Sequence, residues 1–188
     1  HWLTALYAVI NEVGGLDSLD AISIGGQQHG MVLLDIDGQV IRPALLWNDT
    51  RSAPQAAALN AAFPDIHLKT GSQLVASFTA SKVRWVLENE PENAARIAAI
   101  ALPHDWLSWK LSGSSDISEI FTDRSDASGT GYFNPSNDQY ISEIVEWVCG
   151  KSDVILPKII APGATGAKAG KTLIASGAGD NAAAALGI

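Results

Sequence analysis

Both ends of this chain carry the same punctuation, a short apolar strand that runs into glycines. Ala21-Ile22-Ser23-Ile24 leads into Gly25-Gly26, and Thr172-Leu173-Ile174-Ala175-Ser176 leads into Gly177-Ala178-Gly179-Asp180-Asn181. Between them the apolar period is mostly helical. Trp2, Leu3, Leu6, Val9, Ile10 and Val13 share one side of a helix over 2–13, and further helices are predicted over 53–62, 79–89, 104–111 and 139–148. Prolines at 54, 64, 91 and 103 mark the helix boundaries. Asp37-Gly38 between Val32–Asp35 and Val40-Ile41 predicts a hairpin, and Leu45–Trp47 and Ala98–Leu102 read as further strands. Strands lead, helices intervene, and a strand returns. That order predicts a layered α/β domain.

A length of 188 residues is enough for one domain with a substantial core. Hydrophobic residues make up 47% and charged residues 17%, which excludes a disordered chain. The formal net charge of −8 argues against a nucleic-acid backbone or an anionic membrane surface as partner. No stretch approaches the ~20 apolar residues of a membrane span. Cys149 is the single cysteine, so there is no internal disulfide framework, and a reducing cytoplasm is the expected compartment. The chain starts at His1, within a predicted helix, and is read as an interior fragment of a longer protein.

Asp180 stands where a strand ends on glycines and an alanine-rich helix begins. Free N–H groups at a helix start favour an ionised, fixed carboxylate, which suits a catalytic base. Gln28 and His29 follow the first strand, the side of an α/β sheet on which ligands bind, and offer neutral donors and acceptors for hydroxyl groups. By residue type alone they equally fit a turn whose side chains satisfy nearby backbone. Trp47, Asp49 and Arg51 combine an aromatic platform with an acid and a base, as a sugar would need, or form a surface loop with a local ion pair. The polar run Thr122–Thr130 reads by composition as a solvated loop with Asx turns, within a wider loop region over 113–134. Trp85, Trp106, Trp109 and Trp147 lie in helical segments and are assigned to packing. His67 and His104 have no ligand-spaced partner, so no metal site is predicted. Gly170-Lys171-Thr172 imitates the end of a P-loop, but Thr165 stands where the motif needs glycine and a strand follows instead of a helix.

Six segments in order resemble the FGGY family of carbohydrate kinases, most closely its xylulokinase branch. They are Gly26–Gly30, Leu46–Arg51, Ala76–Lys82, Leu102–Leu107, Asp123–Thr130 and Gly177–Asn181. The resemblance implies an actin-like, ribonuclease-H-like fold, with a mixed central sheet flanked by helices. It implies ATP-dependent phosphorylation of a ketopentose, D-xylulose to D-xylulose 5-phosphate. It places the catalytic base on Asp180 and sugar contacts on Gln28, His29 and Asn181, with Trp47, Asp49 and Arg51 as further substrate-binding positions. Xylulokinases usually carry Met where this chain has Gln28. Residues 1–177 would form the sugar-binding domain without its first hairpin, and 178–188 the catalytic turn and the connection to a nucleotide-binding domain. ATP and Mg2+ are the implied cofactors, held mostly by regions outside this chain, so the fragment alone is expected to be inactive. The stretch Ala161–Lys171 is shorter than the family's. The partners expected are a small-molecule sugar and ATP, with a homodimer as an open alternative. Kinases of ribulose, gluconate or glycerol, and a non-catalytic sugar-binding module, are the rival readings.

Overall fold

Prolines and glycines cut the chain into short elements. The computed structural model describes residues 1–187. Helix α1 (Trp2–Glu12) is followed by strands β1 (Ala21–Ile22), β2 (Gly25–Gly26) and β3 (Val32–Leu34). Helices α2 (Ala53–Ala62), α3 (Ile66–Thr70), α4 (Thr79–Asn89) and α5 (Pro91–Arg96) precede β4 (Ala99–Ala101) and α6 (Pro103–Ser112). Next come β5 (Phe121–Thr122), α7 (Arg124–Ala127), β6 (Phe133–Asn134), β7 (Gln139–Tyr140), α8 (Ser142–Cys149) and β8 (Lys158–Ile159). The chain closes with β9 (Thr165–Ala169), β10 (Thr172–Ala175), β11 (Ala178–Gly179) and α9 (Asp180–Leu186). Pro91 and Pro103 each begin a helix, where a missing N–H costs nothing. Gly150, left-handed at φ 69°, ends α8.

The antiparallel pair β3–β4 separates two cores. Every residue of both strands is buried, as expected of strands covered on both faces. Side chains alternate across it. Leu33 and Ile100, with Met31, face a cluster built from Leu59 of α2, Val83 and Val86 of α4, and Ile144 and Val148 of α8. Val32, Leu34, Ala99 and Ala101 face the other way, onto Trp109, Ile117 and Ile120. Burying an aliphatic side chain of this kind contributes about 1.5–3 kcal/mol, so these clusters are the main cohesive force. A third cluster joins Ile10, Leu111, Phe121 and Ile174, tying α1 to the C-terminal strands.

The sheet is mixed, as predicted, but it is divided. One three-stranded sheet has the order β1-β10-β9, and four two-stranded pairs accompany it. Strands of two to five residues make few ladder bonds each, so packing of helices, not sheet continuity, holds them together. The predicted hairpin is present around Asp35–Gly38, where the Gly38 N–H donates to the Asp35 carbonyl at 2.9 Å and Leu34 bridges Val40. Helices 53–62 and 79–89 lie at the predicted bounds.

Several local expectations are corrected. Within 161–171, where no strand is predicted, 165–169 pairs antiparallel with β10, and Gly170-Lys171 is the tight turn between them. The false P-loop is therefore a hairpin turn. Leu45–Trp47 forms only a single bridge, Met31 to Leu45. Helix α8 begins at Ser142, since Gln139-Tyr140 pairs with β6. The region 113–134, expected as loop, contains β5, α7 and the start of the β6–β7 hairpin. Among the described residues no helix is long and apolar enough to cross a membrane.

Candidate active site

The two glycine-ended strands of the sequence lie side by side. Strand β11 pairs parallel with β2, Ala178 opposite Gly25 and Gly179 opposite Gly26. Parallel pairing puts the residues after each strand at the same edge, so Asp180-Asn181 emerges beside Gln27-Gln28-His29. Asp180 is the first residue of α9, exposed, and its Oδ1 accepts the Asn181 N–H at 2.9 Å. A Cβ at Gly179 would lie 2.7 Å from the Gln28 side chain, so any other residue there would force that side chain to move. The Gln28 amide nitrogen donates to the Ser125 carbonyl at 2.5 Å, and the Gly179 N–H donates to Ser125 Oγ at 3.0 Å. Ser125, on α7, thus braces both halves of the site.

His29 is held on several sides. Its backbone is left-handed, φ 68°, an uncommon state for a non-glycine residue. Nδ1 lies 2.6 Å from the Gly129 carbonyl, which requires a proton on that nitrogen and leaves Nε2 for a ligand. The ring packs against Phe78, centroids 4.8 Å apart. Burial lowers the imidazole pKa, with the Lys82 charge acting in the same direction, while the Gly129 carbonyl and Asp180 oppose both. His29 therefore senses the field of Asp180.

The Trp47–Arg51 segment presents Trp47 at 57% exposure and closes a local ion pair, Arg51 Nε to Asp49 Oδ1 at 2.9 Å. The Arg51 guanidinium also lies over Trp85, 4.9 Å from the ring centre. Burial pushes the Asp49 carboxyl up, but hydrogen bonds and charge from Arg51, with Lys82 behind, bring it below its usual range. The structure thus gives Asp49 and Arg51 to each other, and the Lys82 charge that acts on Asp49 also acts on His29.

Beneath the paired strands lies a charge cluster that residue spacing concealed. His104 of α6 is 1% exposed. Its Nδ1 is 2.8 Å from Asp105 and 2.7 Å from Asp126, and its Nε2 is 3.1 Å from Asp123. Burial disfavours the imidazolium, but Asp105 foremost, with Asp123 and Asp126, pushes its pKa up to about 12. Burial raises Asp126 to about 7 despite the imidazolium. The segment 123–130 is therefore not a solvated loop. Asp123 and Asp126 are buried, and Asp123 caps α7 by accepting the Ser125 and Asp126 N–H groups at 2.7 and 3.2 Å. His104, Asp105 and Asp126 bring donor atoms within 4.8 Å, as metal ligands would, but the imidazolium already supplies the positive charge there. A signal was present in the sequence: three aspartates in two of the polar segments flanking one histidine. The contacts with Asp123 and Asp126 are long-range, and spacing does not register them.

Residues 1–187 match the family described as the N-terminal domain of the FGGY family of carbohydrate kinases. The chain belongs to the FGGY family. A xylulose kinase from Streptomyces coelicolor is 42% identical over 201 residues, covering 100% of this chain and 40% of that protein. One from Bacillus subtilis is 36% identical over 180 residues, covering 90% of this chain and 35% of the relative. The crystal structure of xylulose kinase from Bifidobacterium adolescentis superposes with a TM-score of 0.91 at 40% identity, over 99% of this chain and 46% of that one. This FGGY chain therefore has the actin-like fold of the sugar kinases. Glycerol kinase from Plasmodium falciparum, at 24% identity and a TM-score of 0.82, covers 97% of this chain and 40% of that one and shares the fold. The FGGY chain spans less than half the length of these relatives. The alignment to the Streptomyces protein is also longer than the chain, so that relative has residues without a counterpart here.

Proposed function

We propose that the protein containing this FGGY domain transfers the γ-phosphoryl group of Mg-ATP to the terminal hydroxyl of an open-chain ketose, D-xylulose. The parallel β2–β11 pairing carries this reading, because it sets an exposed carboxylate next to neutral hydroxyl-reading side chains. The similarity to xylulose kinases supports the choice of sugar. Residues 1–177 supply the sugar side, and 178–188 lead toward a nucleotide-binding domain. Mg2+ enters with the nucleotide as part of the substrate.

Asp180 accepts a hydrogen bond from the attacking hydroxyl and aims its lone pair in line with phosphorus. The O–P bond forms as the bond to the ADP oxygen breaks, and the hydroxyl proton passes late to the Asp180 carboxylate. Asn181, Gln28 through its Oε1 and His29 through its Nε2 read the remaining hydroxyls, the Gln28 amide nitrogen being taken by Ser125. A site built on such hydrogen bonds strongly rejects a missing or inverted hydroxyl. Replacing Asp180 with Ala in the intact protein is expected to lower kcat about 10²–10⁴-fold, the usual contribution of a positioned base, with Tm unchanged. Near-normal turnover in that variant would sink the assignment. Assaying the intact enzyme against xylulose, ribulose, gluconate and glycerol separates the xylulokinase reading from its relatives, and turnover of none of them favours a binding module.

A further inference from the structure

Lys82 has no place in that mechanism, yet its position is hard to explain as packing. It lies in the first turn of α4, fully buried, where the positive end of a helix repels a cation. Among the described residues it makes no ion pair. A buried ammonium without a carboxylate partner destabilises the fold unless its protons are used. Here they go to two carbonyls, that of Ser77 nearby and that of His29 across 53 residues, the latter at 3.1 Å. Thr79 Oγ1 donates to the same His29 oxygen at 3.3 Å. The carbonyl that receives both belongs to His29, the left-handed residue whose Nδ1 is held by the Gly129 carbonyl.

We infer that Lys82 is the positioning residue of the sugar site: by holding the His29 carbonyl, it keeps His29 left-handed and its Nε2 turned to the ligand. Two groups then orient one ring, Gly129 through Nδ1 and Lys82 through the backbone. Burial lowers the Lys82 pKa to about 8, with Asp49 opposing, which is the mark of a cation kept where water cannot solvate it. The role for sugar affinity rests on the kinase reading above; the role in His29 geometry does not.

The test is Lys82→Met in the intact protein, with a crystal structure and steady-state kinetics. His29 is expected to leave the left-handed region, and KM for the ketose to rise about tenfold or more, with KM for ATP unchanged. In a His29→Ala background the same substitution should leave the ketose KM unaffected, because both changes remove one contact. A general packing role would depress folding and kcat alike and would add to His29→Ala. If Lys82→Met does not fold, Thr79→Val removes the second donor and should raise the ketose KM in the same selective way. An unmoved His29 in the variant structure overturns the inference whatever the substrate. An unchanged ketose KM in an active enzyme overturns it while leaving the kinase reading intact.

Discussion

His104 and Gly177 compete for one volume. A Cβ at Gly177 would lie 2.3 Å from the His104 ring and 2.2 Å from the Ile24 carbonyl, so the imidazole is seated directly under the segment that leads into Asp180. Its charge has a consequence for stability. A histidine raised from 6.5 to about 12 binds its proton more tightly when folded, so its stabilisation is complete below pH 6.5 and is lost as pH rises toward 12. Asp126, raised from 3.8 to about 7, contributes in the same direction up to about pH 7. Lys82, lowered from 10.5 to about 8, acts oppositely but only above pH 8. Between pH 6.5 and 8 the unfolding free energy is therefore expected to fall by about 1–2 kcal/mol. Urea titrations at several pH values measure it, and His104→Gln should flatten the slope. A slope unchanged in His104→Gln would remove the imidazolium from this account.

At the scale of elements, α7 joins the two halves of the site. It is only four residues long and has little stability of its own, so its position depends on the Asp123 cap and on contacts with its neighbours. Ser125 Oγ donates to Asp123 at 2.5 Å and accepts the buried Gly179 N–H. Ser125→Ala would leave that N–H without a partner, for an expected loss of about 1–3 kcal/mol in chemical denaturation. Hydrogen exchange at the Gly179 amide should quicken more than in the β3–β4 core. Equal quickening at both places would show that α7 does not act locally. This element was poorly legible in advance, because Ser, Asp and Thr favour turns wherever no buried cation is available to take their carboxylates. Helices α2 and α4 were legible, since local period and prolines set their bounds.

At the scale of the molecule, the site is one-sided. Asp180 and Asn181 are exposed at an edge, and the chain covers 40% of its Streptomyces relative. We expect residues 1–188 alone to bind the ketose weakly and to release no ADP from ATP in the presence of sugar, as followed by a coupled assay. Sugar-dependent turnover by this segment would refute the proposal that the nucleotide is held by another domain.

From residues alone came the α/β order, the motif segments and the candidates Asp180, Gln28 and His29; Asn181 came with the family resemblance. Those depend on local spacing, turn chemistry and the free N–H groups of a helix start, which a chain carries wherever it folds. Tertiary structure decided what those residues meet: the β2–β11 pairing, the inward turn of Gln28, the Asp123 and Asp126 charges around His104 and the Lys82 contact with His29. Each joins groups from different segments, and buried charges choose partners by distance in space, so the sequence order of those groups carries little trace of the choice.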